Sequence, residues 1–232
     1  SNPQEPVAAA LVAVPMAVPM AAAAITAAMK VNQTAAGKTK KLLMRSTKLK
    51  MIKVATKRKP ESSTSSSASF AEKLANAQSL QDIFELVKET AWKSLRVDQA
   101  GLMVGLAELG IASNGVLGAY YSPEGNTIVM NKTVMSQLKR IASGELYNSY
   151  CFYILLHEYL HSCGFYNEAE NRQIVAAMAT QAFGHDHPVT KLAETPAAML
   201  GLLSDAQPQA PDEFGSVEFV EGIDRSNTNY IN

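Results

Sequence analysis

Two histidines and a glutamate hold the chemistry this sequence offers. The stretch Leu155-Leu156-His157-Glu158-Tyr159-Leu160-His161-Ser162-Cys163-Gly164 contains His-Glu-x-x-His. On a helix, side chains four apart share a face, so His157 and His161 can aim two imidazoles at one point, as a tetrahedral metal ion requires. Glu158 lies about 100° round the helix, beside that point without being a ligand. Two imidazoles that hold a metal and a carboxylate that takes a proton from water make a set for metal-assisted hydrolysis. Either histidine alone would be read as an ordinary core residue with a polar partner. The spacing, and the Glu between them, argue for the metal.

The elements that must position this set can be read around it. Residues 146–156 contain no Pro or Gly and suit a buried helix, predicted over 146–163, and Gly164 supplies its stop. Asn167-x-x-Glu170 has the form of a capping box for a second helix over 168–183. Glu168 then sits in the first turn, where the helix dipole favours a carboxylate in any case. A tight turn at Gly164 would fold that first turn back beside His161. The cluster His185-Asp186-His187 competes for a metal role. A helix of this length spans about 25 Å, which puts the cluster far from His161. Gly184 as a C-cap and Asp186 as cap of a helix beginning at Pro188 explain it without a metal.

The run resembles the active-site helix of the zincin metallopeptidases. The metzincin form, His-Glu-x-x-His-x-x-Gly-x-x-His/Asp, is followed as far as Gly164 and fails at Asn167, a neutral amide. The gluzincin form takes a Glu from a following helix, often within Asn-Glu-Ala, and Asn167-Glu168-Ala169 matches it. The spacing to Glu168 is shorter than in gluzincins, and Arg172 stands where they carry Asp. The likeness extends over about residues 126–188. It implies Zn2+ held by His157, His161 and Glu168, with Glu158 as general base. The activity implied is that of a metallopeptidase hydrolysing peptide bonds with metal-activated water. Tyr166 is a candidate to stabilise the oxyanion. Zincins pair an extended peptide substrate with a strand just before the active helix, and Thr127, Ile128, Val129, Met130 and Asn131 stand in that position.

The rest of the chain divides by composition. Residues 1–59 carry eleven Lys/Arg against the single acid Glu5, whereas residues 60–232 carry ten Lys/Arg and twenty Asp/Glu. The net charge of zero therefore conceals a basic arm on an acidic domain, which suggests an anionic partner. Residues 7–29 are uncharged and long enough to cross a bilayer, but they are Ala-rich and broken by Pro15 and Pro19, and no basic stretch precedes them as in a secretory leader. Residues 38–59 hold ten basic residues, no acid and no aromatic. Such a segment can track a nucleic-acid backbone or lie on a membrane surface, without reading bases. Residues 61–69 read as a Ser-rich linker and 205–232 as an acidic tail.

The domain between, 70–204, reads as α+β and mainly helical, with a small β-hairpin or sheet. Ser69-x-x-Glu72 and Ser79-x-x-Asp82 look like helix starts. Leu80, Ile83, Phe84, Val87, Ala91 and Leu95 follow helical spacing and should be core, with Trp92 packed beside them. Residues 99–112 read as a helix ending near Gly110. Residues 115–121 and 127–131, around Ser122-Pro-Glu-Gly-Asn126, read as a hairpin. Helices are expected at 133–142 and 188–204 as well. Cys151 and Cys163 lie about 18 Å apart on one helix, too far for a disulfide. Unpaired thiols suit an intracellular, reducing compartment, with membrane or particle association open. The second reading of the chain, from a different class, is a structural or anchoring subunit of a larger assembly that carries the zincin-like domain as scaffold. Removing residues 1–60 separates the two, since a peptidase should keep its activity and an assembly subunit should lose its assembly.

Overall fold

The structure, a computed structural model, describes residues 64–112, 115–196, 203, 209–211 and 216–223. The Ala-rich and basic arm, with its expected anionic partner, lies outside the described residues. So does most of the acidic tail, whereas the helix expected over 188–204 is corrected: it ends at Glu194, with Thr195 as its C-cap just before Pro196. The architecture is mixed α+β, as expected. In chain order it comprises α1 (Thr64–Ala75), α2 (Leu80–Leu95), β1 (Met103–Ala107), β2 (Ala119–Ser122), β3 (Thr127–Asn131), α3 (Lys132–Ile141), α4 (Gly144–Ser162), α5 (Glu168–Phe183), α6 (Pro188–Glu194) and β4 (Glu218–Phe219).

Helix α4 is the centre. Tyr150–Tyr153 and Leu155–Ser162 are buried along it, so it is covered on all sides and lies in the core rather than on the surface. Its neighbours are α1, α2, α5 and α6 and the strand β2. Ser143 caps its start by accepting from the Leu146 N–H. Edge-to-face aromatic pairs tie it to its neighbours: Phe152 meets Phe183 of α5 at 4.9 Å, and Tyr159 meets Phe84 of α2 at 5.8 Å. The Tyr159 hydroxyl donates to Asp98 and accepts from the Gln99 N–H at 3.0 Å, fixing the chain beyond α2. Helix α2 begins as its sequence indicates, with Ser79 accepting from the Asp82 N–H. Ile83, Phe84, Val87, Ala91 and Leu95 are buried along its stripe.

The sheet has the order β2-β3-β1-β4. β3 runs antiparallel to β2, as the hairpin signal predicts, and parallel to β1, while β4 is antiparallel to β1. Several expectations are corrected here. The apolar run 99–112 contains the strand β1 in place of a helix. Gly105 lies where a Cβ would come within 2.3 Å of a Val217 methyl carbon, so the bare backbone is what lets the C-terminal segment close over β1. That segment was read as a tail. Its described residues instead pair through Glu218–Phe219, bury Ile223, and bridge Gln209 to Ile111. The Ser-rich stretch is helical from Thr64, which places Ser69 inside α1 and not at a helix start. α1 is anchored by the buried Phe70 and Leu74. Trp92 is half exposed, with the Arg96 guanidinium 5.4 Å from its ring. One residue off the stripe is a 100° turn away from the core. His187, and not Asp186, caps α6.

Among the described residues no helix is long and apolar enough to cross a membrane. Cys151 and Cys163 are both buried and form no disulfide, consistent with their separation along α4.

Candidate metal centre

The end of α4 sets up the site. Gly164 takes φ 97°, the left-handed conformation that closes a helix. The Gly164 N–H then bonds to the His161 carbonyl at 2.9 Å, and the Phe165 N–H to the Leu160 carbonyl at 3.0 Å. This crossed pair is the Schellman arrangement. It has a second consequence, because it turns the Phe165 carbonyl onto His161 Nδ1 at 2.9 Å. A carbonyl only accepts, so Nδ1 carries a proton and donates, which leaves Nε2 as the ring's free coordinating atom.

The chain then needs only two more residues to begin α5. Asn167 caps it by accepting from the Glu170 N–H, and Glu168 stands in the first turn. Asn171, fully buried one turn on, donates to the His157 carbonyl at 3.0 Å and binds the two helices together. Glu168 is thereby folded back over both imidazoles.

The three donors converge. His157 Nε2 and His161 Nε2 are 3.1 Å apart, Glu168 Oε1 is 3.0 Å from His161 Nε2, and Glu168 Oε2 is 3.3 Å from His157 Nε2. Ligand atoms about 2.0–2.1 Å from a tetrahedral zinc lie about 3.3 Å from one another. With the Glu168 carboxylate as its third corner, Oε1 facing His161 and Oε2 facing His157, this donor triangle gathers the three groups around one point, and the two imidazole nitrogens are spaced as such an ion needs. The donor chemistry, two imidazoles and one carboxylate, fits zinc and its transition-metal neighbours and not magnesium or calcium, which bind through oxygen. Among the described residues this is the one His/Cys/Asp/Glu group found able to hold a metal. It contains neither Cys163 nor the His185-Asp186-His187 cluster. The His157 Nδ1 is buried without a protein partner. His161 is the ring whose orientation the backbone fixes.

Glu158 is buried behind the triad. Burial raises its pKa, the neighbouring His157 and His161 pull it down, Glu168 pushes it up, and a hydrogen bond from the Tyr121 backbone N–H lowers it, with a net rise. For Glu168, burial works upward but hydrogen bonds and charge from the two histidines dominate and hold the carboxyl far below the usual range. In His161, burial works downward and is outweighed by Glu168 and Glu158, so its pKa is raised. The cluster is an electrostatic unit whose members hold one another in place.

The strand expected to pair with substrate is a correction. Thr127, Ile128, Val129, Met130 and Asn131 form β3, which is bonded to β1 on one side and β2 on the other, with all five residues buried. They have no free edge to offer. Among the described residues the free edge near the site belongs to β2, which packs on α4 and whose Tyr121 N–H reaches Glu158. The misread strand β1 is the cause: without it, β3 looks like an edge.

Tyr166 lies in the connection between α4 and α5, more than half exposed, within electrostatic reach of Tyr121. Sequence reasoning missed Tyr153, one helical turn before His157. It is buried, and its phenol interacts electrostatically with Arg172, Glu158 and Glu168. Burial raises its pKa, partly offset by Arg172 and reinforced by the two carboxylates, to about 12. The i, i+4 relation to His157 was the available signal. No protein-family model matches the chain, and no curated protein or solved structure is significantly similar to it.

Proposed function

We propose that the chain is a metal-dependent hydrolase of the zincin type that cleaves peptide bonds, with His157, His161 and Glu168 holding zinc. The observation that supports the reading is the convergence of three donors: two imidazole nitrogens 3.1 Å apart, and a carboxylate with Oε1 3.0 Å from His161 and Oε2 3.3 Å from His157. When bound, zinc supplies Lewis acidity, polarising the substrate carbonyl and acidifying a water molecule.

The chain's own groups do the remainder. Glu158 removes the proton from the attacking water and passes it to the departing amine. Its burial keeps competing bulk water away, and the Tyr121 N–H fixes one of its oxygens. The Phe165 carbonyl holds the His161 ring in the coordinating tautomer. Asn171 holds the α5 turn that presents Glu168. The open edge of β2 offers backbone groups to an extended peptide, the mode of strand addition. Tyr153 and Tyr166 are the two phenols available to the developing oxyanion, Tyr153 from within the site and Tyr166 from its rim.

The test is Glu158→Gln, which preserves shape and removes the base. The variant should bind one zinc per chain like the parent and lose peptide hydrolysis by at least a thousandfold. Cleavage of a random peptide pool at the parental rate by this variant would end the proposal.

A further inference from the structure

Arg172 has no role in the mechanism above, and its surroundings are unusual. It stands one helical turn after Glu168 on α5, with its Nη2 3.9 Å from Glu168 Oε2. That is the outer limit of an ion pair, too long for a hydrogen bond. Its Nε is buried without a hydrogen-bond partner. The side chain is one-third exposed, and that of Glu168 about two-fifths, so the guanidinium borders the open side of the site. The neutral phenol of Tyr153 completes its surroundings.

A cation beside a metal site is unfavourable unless something answers its charge. The one carboxylate paired with Arg172, Glu168, is also a donor to the ion in the reading proposed above. The ion's two positive charges and that of Arg172 face one negative charge each from Glu158 and Glu168. One positive charge is left over, located at Arg172.

We propose that Arg172 binds a carboxylate of the substrate, so that the site takes peptides with an acidic side chain or a free C-terminus at the scissile bond. Geometry limits which carboxylate this is. Nη2 is 3.9 Å from an oxygen of the carboxylate that would hold the ion, so the guanidinium lies within about 8 Å of the ion's position. A carboxylate joined through two or three atoms to the reacting carbonyl spans that distance, whereas one several residues away needs a looped-back chain. The planar fork of Arg, on a side chain one-third exposed, suits bidentate capture of such a group.

This inference rests on the metal-site reading, and its test keeps the two apart. The probes are succinic acid monohydroxamate and its amide isostere, in which a carboxamide replaces the carboxylate. The hydroxamate end anchors each to zinc, and the other end tests Arg172. Affinities are measured by titration calorimetry on the zinc-loaded full chain, with zinc content measured alongside. The parent should bind the carboxylate probe at least tenfold more tightly than the amide. Arg172→Gln should bring the ratio close to one while retaining zinc, and Arg172→Lys, which keeps the charge and loses the fork, should give an intermediate ratio. Zinc bound with equal affinity for both probes in the parent, or a ratio unchanged in Arg172→Gln, overturns the inference and leaves the metal site standing. A parent chain that binds no zinc removes both.

Discussion

The donor triangle makes a quantitative claim about stability. A ligand that binds only the folded chain stabilises it by mass action, by about 4.1 kcal/mol when its free concentration is a thousandfold above the dissociation constant. For a domain of about 150 residues, each kcal/mol moves the melting temperature by roughly 2–4 °C. Zinc buffered at that level should therefore raise the midpoint by about 8–16 °C over the chelator-treated chain. Glu168→Gln leaves two of three donors. A hundredfold loss of affinity removes about 2.7 kcal/mol, so the rise in the variant should shrink to about 3–6 °C at the same zinc level. Millimolar magnesium should do nothing comparable, because two of the three donors are imidazoles. Cys151 and Cys163 are buried in the folded chain, so any zinc they bind on unfolding reduces the shift rather than imitates it. The assay is thermal unfolding of parent, Glu168→Gln and a His157→Ala/His161→Ala double variant in zinc and magnesium buffers. An equal zinc-induced rise in all three chains would refute the reasoning, because the stabilisation would then come from elsewhere.

Three further outcomes follow from the fold. Burial holds the His187 pKa below its ordinary value against an opposing effect of Glu145, and its Nδ1 accepts from the Val189 N–H. The imidazole is neutral in both states above about pH 6.5, and below that the unfolded chain takes up the proton first, so stability should fall as the pH drops. His187→Asn keeps a capping oxygen and removes that proton uptake, so its melting temperature should fall less than the parent's between pH 7.5 and 5.5. Gly105→Ala places a methyl 2.3 Å from a Val217 methyl carbon, costing about 1–3 kcal/mol by overpacking and exposing residues 209–223 to limited proteolysis. Zinc affinity should be unaffected, because β4 lies at the edge of the sheet opposite β2. Tyr159→Phe strips the Gln99 N–H of its acceptor and Asp98 of a donor, and urea titration should register a loss of about 1–3 kcal/mol.

What could be read from the sequence was what local geometry determines. His157 and His161 meet because the α-helix repeats every 3.6 residues, and no distant contact is needed for that. Ser79, Asn167 and Gly184 announce helix ends because capping acts within a few residues. The hairpin of β2 and β3 was legible for the same reason, its turn lying between its strands. The misses are non-local. β1 pairs in parallel with a strand more than twenty residues on, and β4 arrives from more than a hundred residues away. An apolar run without alternation cannot distinguish a buried parallel strand from a helix. A two-residue strand with exposed side chains leaves no pattern at all.

Glu168 lies between these cases, and the turn before it explains how so short a spacing brings it to the imidazoles. A ligand on a following helix normally needs enough connecting chain to reverse direction. Here the reversal is made by Gly164 and completed within three residues, since the Schellman bonds end α4 at once and Asn167 opens α5 immediately. The same turn delivers the Phe165 carbonyl to His161. One left-handed glycine thus does two things that a longer connection would leave to separate residues: it brings Glu168 over the imidazoles, and it fixes the tautomer of one of them. A side chain at Gly164 would strain the φ of 97° and disturb both together. The spacing from His161 to Glu168 thus carries structural information beside the His-Glu-x-x-His pattern, because a left-handed glycine and an immediate Asn cap are what fit within it.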